Sequence, residues 1–149
     1  MLNRRHLRIK VLQALYAYYQ SDEGSFHKSE KDLLEAVEKI YDLYIYLLLS
    51  FGELKSIAER RIEDNKKKIR PSEEEMNPNL KFVNNQIIEI LEDHKDLRIA
   101  SEERKVNWVG DDVQEMFRKM LLHIRESETF FEFMNNGETG FEEDRQFAL

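Results

Sequence analysis

The chain has 149 residues, 23 Lys+Arg against 30 Asp+Glu, a formal net charge of −7, 41% hydrophobic residues and no cysteine. That length suits one domain able to bury about 68–70% of its unfolded surface, and the mix of 41% hydrophobic and 36% charged residues suits a helix-rich soluble chain. The lack of cysteine rules out disulfides and thiolate metal sites, and accords with a cytoplasmic protein.

Charge is unevenly spread. The first twenty residues, MLNRRHLRIKVLQALYAYYQ, contain Arg4, Arg5, Arg8 and Lys10 and no acid. Those four supply +4, which leaves 19 basic against 30 acidic residues elsewhere, a net of −11. A basic start on an acidic body points to an anionic partner. The stretch from Asn3 to Gln20 has no Gly or Pro. Its apolar spacing predicts a helix with Leu7, Val11, Ala14, Leu15 and Tyr18 on one side. Arg4 and Arg8 fall in or beside that stripe, so the first two turns are expected to overhang the body, anchored by the apolar C-terminal half. Cations at a helix N-terminus oppose the macrodipole by about 0.3–1 kcal/mol each, so helix stability does not account for them. The basic start enters an amphipathic helix and not an apolar segment, so no signal peptide is expected.

The run Arg4-Arg5-His6-Leu7-Arg8-Ile9-Lys10-Val11-Leu12-Gln13-Ala14-Leu15-Tyr16 resembles the opening helix of the NusB family of bacterial transcription antitermination factors. That family begins with an arginine-rich run followed by a Gln-Ala-Leu-Tyr-type segment. The resemblance implies an all-helical fold and binding of the single-stranded boxA element of ribosomal RNA leaders. It also implies pairing with the small-subunit ribosomal protein that serves as NusE, within a transcription elongation complex. The family's RNA surface carries over to Arg4, Arg5 and Arg8, with His6 and Lys10 inside the same run. The match ends at Tyr16. The family's later signatures, an Asn-Glu pair on a late helix and a Phe-Val-Asn-Gly-type segment, have no counterpart in place, since Lys81-Phe82-Val83-Asn84-Asn85 comes too early.

Beyond the first helix, Ser21-Asp22-Glu23-Gly24 reads as a stop. Ser29, with Asp32 at capping-box distance, predicts a second helix from Glu30 towards Lys68, with a break near Ser50-Phe51-Gly52. Its centre, Tyr41 to Phe51, is apolar nearly all round, too short for a membrane span of about 20 residues, and is expected to be core. Residues 66–79 hold both prolines and Glu73-Glu74-Glu75 and make the best internal linker. A third helix follows near Asn79 to Asp93 with Phe82, Val83, Ile87, Ile90 and Leu91 inward, then a short one from Asp96 to Lys105. Asp111 or Asp112 after Gly110 starts another, with Val113, Met116, Phe117, Met120, Leu121 and Ile124 in register. Ser127 caps a short helix carrying Phe130, Phe131, Phe133 and Met134, and Phe141 opens a last amphipathic turn after Gly137-Glu138-Thr139-Gly140. That last helix stops on Phe-Ala-Leu, so the chain is expected to be the N-terminal part of a longer protein. No strand pattern and no repeat emerges. The predicted fold is an all-α multi-helix bundle, NusB-like in its first helix, formed by a single helical domain over 1–149.

No catalytic constellation is expected. His6, His27, His94 and His123 lack metal-ligand spacing, and there is no phosphate loop or nucleophile elbow. The clusters Glu73-Glu74-Glu75 and Glu142-Glu143-Asp144 read as solvated turns or helix starts. Arg60, Arg61, Lys66, Lys67, Lys68 and Arg70 read as the solvated end of a long helix, where cations suit the dipole. Trp108 reads as core or hinge. The functional expectation is therefore an RNA-binding antitermination factor without cofactor, metal or membrane, acting through Arg4, Arg5, His6, Arg8 and Lys10. The alternative is a helical protein-interaction module whose basic helix docks on an acidic partner.

Overall fold

A computed structural model describes residues 3–21 and 25–148, and among them the chain is all-helical, with eight helices and no strand. The helices are α1 (Arg4–Gln20), α2 (Phe26–Lys66), α3 (Glu73–Met76), α4 (Gln86–Asp93), α5 (Lys95–Arg104), α6 (Asp111–Glu126), α7 (Glu128–Asn135) and α8 (Phe141–Ala148). They divide into two compact units, Met1–Ile45 and Tyr46–Leu149, with α2 shared between them. None of the described helices is long and apolar enough to cross a membrane.

In the first unit, Asn3 caps α1 by accepting a hydrogen bond from the Arg5 amide, which satisfies one of the donors a helix start leaves open. α1 ends at Gln20 with Ser21 as its C-cap, and the rest of the expected stop, Asp22 to Gly24, lies outside the described residues. α2 begins at Phe26, so Ser29 is an interior residue of the helix and not its cap. The ring of Tyr18 meets Phe26 edge-on at 6.3 Å, and the small residues Ala14, Ala17 and Ala36 line the groove between the two helices.

α2 continues unbroken for 41 residues, through the Ser50-Phe51-Gly52 segment where a break was expected. A glycine in a helix costs only about 1 kcal/mol relative to alanine. Burial of Leu54, Ile57 and Ala58 on the following turns offsets that. The apolar centre is not buried on most sides: Ile45 is enclosed, but Tyr41, Leu43, Tyr44 and Leu47 are exposed.

The second unit is built on a core of Leu54, Ile57, Ala58, Phe82, Val83, Ile88, Phe117, Leu121 and Phe130. Residues 66–79 belong to this unit. They are tied down by a Lys68–Glu75 ion pair, by a capping box at α3 between Ser72 and Glu75, and by Asn79, whose amide donates to the Met134 carbonyl at 2.8 Å. Asn85 sets the start of α4, later than the expected Asn79, because its Oδ1 accepts from the amides of both Ile87 and Ile88. That start turns Ile88 into the core and leaves Ile90 half exposed. Asn85 is also fully buried, and its Nδ2 donates to the Asp144 carbonyl of α8. Asp144, 5% exposed, returns the contact by accepting from the Gln86 amide at 2.9 Å. Beside this polar lock, Phe147 stacks on Phe133 at 4.1 Å and meets Phe82 and Phe130 edge-on. α6 starts after Gly110, whose φ of 124° suits glycine, and Ser127 caps α7 as expected from the sequence.

Lys55 on α2 reaches Glu92 on α4 at 2.5 Å, with 17% of the lysine side chain exposed. The hydrogen bond to Glu92 holds the Lys55 pKa above its ordinary 10.5, against the opposing effect of burial. The stabilisation is therefore complete below 10.5 and is lost as pH rises through the folded-state value. Glu92→Gln is expected to cost about 1 kcal/mol at neutral pH, since the carboxylate itself is partly solvated. Urea denaturation at neutral pH and above pH 10.5 checks it, because the gap between the two proteins should narrow at the higher pH.

Candidate nucleic-acid interface on the first helix

The arginine-rich run folds as the first two turns of α1, and every residue of that helix is at least partly exposed. The half-buried positions are Leu7, Lys10, Ala14 and Tyr18. The face turned inward is thus rotated from the expected stripe: Val11 and Leu15 are 42% and 47% exposed, while Lys10 takes an inward place. The reason is packing distance. Ala14 and Ala17 permit close approach to Ser29, Leu33 and Ala36 of α2, whereas Leu15 on the neighbouring face would hold the helices apart.

The rotation decides what lies outward. At about 100° per residue, Arg4, Arg5, Arg8, Leu12, Leu15, Tyr16 and Tyr19 share one broad face. Leu12 and Tyr16 are each 68% exposed and Tyr19 is 80% exposed. Arg4, Arg5 and Arg8 line a shallow depression with Asn3, Ile9 and Leu12. Among the described residues, none of the three arginines is held by an ion pair. Their charge is therefore available to a ligand, and the exposed rings of Tyr16 and Tyr19 lie about two to four turns further along the same surface.

The five residues singled out in the sequence are not all gathered there. Arg4, Arg5 and Arg8 are together. His6 is exposed but falls on the other flank of the helix, and Lys10 lines the groove that also holds Asp32 of α2. Tyr16 and Tyr19, not singled out in the sequence, are exposed on the same face at helical spacing from Arg5, Arg8 and Leu12. Trp108 packs against the core: its Nε1 donates to the Tyr46 carbonyl at 2.9 Å, and its ring meets Phe117 edge-on at 5.1 Å. Among the described residues no group of His, Asp and Glu is arranged to hold a metal ion. Compared with known proteins, the chain matches no family model, no curated protein and no solved structure.

Proposed function

We propose that this chain binds single-stranded RNA through the outward face of α1, as a transcription antitermination factor of NusB type acting on a boxA-like element. The observation that carries the reading is the juxtaposition of Arg4, Arg5 and Arg8, free of acidic partners, with the exposed rings of Tyr16 and Tyr19. Guanidinium groups neutralise phosphates and stack on bases, and aromatic rings offer a platform to unstacked bases, which single-stranded RNA presents and a duplex does not. Phosphate contacts supply affinity and register, while base contacts supply sequence preference. The net −11 carried outside the four N-terminal basic residues disfavours RNA over most of the remaining surface. By the same resemblance the protein partner is a NusE-type small-subunit ribosomal protein in the elongation complex, and the compartment is the cytoplasm.

Fluorescence anisotropy against a boxA RNA and a shuffled control, titrated over salt, tests the reading. Three single-strand phosphate contacts contribute about 2 to the slope of log K against log salt. The Arg4→Ala/Arg5→Ala/Arg8→Ala variant should lose that amount. At roughly 1 kcal/mol for each exposed contact it should also bind about 10²-fold more weakly at low salt. An unchanged slope removes α1 as the RNA surface.

A second reading rests on Leu34, Leu43 and Tyr44 of α2, all at least half exposed in the first unit. Apolar surface of this kind, next to a basic helix, also suits a protein-interaction module that docks on an acidic partner. It predicts strong binding of an apolar dye and no preference for RNA over an acidic polypeptide.

A further inference from the structure

The second basic cluster lies at the exposed end of α2, as expected, and two of its members, Arg60 and Arg61, also line a cleft. Arg60 and Arg61 on α2 face Arg118 on α6 across a cleft of about 320 Å³, which Asp64 and Asn65 also line. Its apolar floor is Ile57, Leu121 and Leu122. Arg61 also lines a second depression of about 290 Å³ beside it, together with Arg125 and Glu74. Four arginines from two helices thus converge in a chain whose net charge is −7.

Internal pairing does not account for them. Arg60 donates to the Ser56 hydroxyl at 3.2 Å, and Arg118 meets Glu115 at 3.6 Å with both side chains more than half exposed, an arrangement worth little. Among the described residues Arg61 and Arg125 are in no ion pair. Burial first, and then the Arg61 guanidinium, hold Arg125 below the ordinary arginine range, so the two cations repel each other in a partly desolvated place. Asp64 offsets one charge in the first cleft, leaving three arginines against one carboxylate. Glu74 and Glu75 both line the second depression and balance Arg61 and Arg125 there, so the excess of positive charge lies in the first.

We propose that the cleft between α2 and α6 binds a nucleotide unit, with its phosphate held by Arg61 and Arg118 and its base resting on Ile57, Leu121 and Leu122. The volume is that of a small-ligand site, and planar guanidinium forks from two walls suit the bidentate geometry of a phosphate. Arg60 closes the rim, and Asn65 offers an amide donor. The unit comes either from a free nucleotide or from a residue of a bound RNA strand. The site stands on the second unit alone and does not depend on the role proposed for α1.

Isothermal titration with ADP and anisotropy with a short oligoadenylate separate the two sources. Both are run on the protein and on Arg61→Gln/Arg118→Gln, and the oligoadenylate arm is run in the Arg4→Ala/Arg5→Ala/Arg8→Ala background to remove α1. The expected result is binding that falls about tenfold or more in the glutamine variant, the loss of at least one charged hydrogen bond. Lys67→Gln, outside the cleft, should leave it unchanged. Loss in the ADP arm identifies a free-nucleotide site, and loss in the oligoadenylate arm alone identifies a strand site. The six positions altered across these variants, Arg4, Arg5, Arg8, Arg61, Lys67 and Arg118, are exposed, so the folded state should persist, and unchanged thermal unfolding of the ligand-free variants confirms it. Absence of binding in both arms at low salt, or binding that the glutamine variant leaves intact, overturns the proposal.

Discussion

Phe117→Ala is expected to lower the stability of the second unit by about 3–5 kcal/mol, the range for truncating a fully buried phenylalanine. Phe117 is 1% exposed and lies among Leu54, Ile57, Leu121 and Phe130, where α2, α6 and α7 meet. Part of the loss is transfer free energy, and part is the cavity that the surrounding helices fill only partially. The ring also supplies the edge-on neighbour of Trp108, a contact worth about 0.5–1.5 kcal/mol beyond its area. Phe117→Leu, which keeps most of the volume, should cost less than half as much. Guanidinium denaturation reads the difference as a shifted midpoint at constant slope. A loss near 1 kcal/mol for the alanine variant would mean that α6 does not close this core.

Asn85→Ala should cost about 2–4 kcal/mol although it removes little volume. The side chain caps α4 at two amides and holds the Asp144 carbonyl, so its removal leaves those groups unsatisfied where water is excluded. Asn85→Asp separates capping from cross-linking. The acceptor survives, but the donor to α8 is lost and a second carboxylate is placed beside Asp144. The aspartate variant is therefore expected to be no more stable than the alanine one at neutral pH, and to release α8 to protease first. If aspartate restored stability, capping alone would explain Asn85 and the tie to α8 would be incidental.

How far the fold could be read in advance depended on whether a signal was local. Ser127, Gly110 and Asp111 mark helix ends by their own backbone chemistry, and the helices begin where they stand. Ser29 carries the same type of signal, yet α2 already starts at Phe26, where the Tyr18 ring meets it. Gly52 looks like a breaker by propensity, but propensities of about 1 kcal/mol yield to core packing on the adjoining turns. Asn85 and Asp144 are polar letters in polar surroundings. Nothing in their immediate neighbourhood signals that they meet across 59 residues and are buried together. At the candidate site, composition disclosed the arginines of α1, because charge asymmetry survives any rotation of the helix. It did not disclose Tyr16 and Tyr19, since the outward face depends on which small residues let α1 approach α2. Arg60 and Arg61 were legible as basic residues, but Arg118 and Arg125 join them only through the packing of α6.

The position of Trp108 also gives the molecule a built-in optical label. It is the single indole of the chain, and it sits in the second unit with its Nε1 on the Tyr46 carbonyl, whereas Tyr16, Tyr18, Tyr19, Tyr41 and Tyr44 belong to the first. Indole emission therefore follows the melting of the second unit alone, and phenol emission is weighted towards the first. A strand stacking on Tyr16 and Tyr19 should quench the phenols and leave the indole silent, so that ligand capture by the first unit and core integrity of the second are recorded in a single cuvette, on unmodified protein.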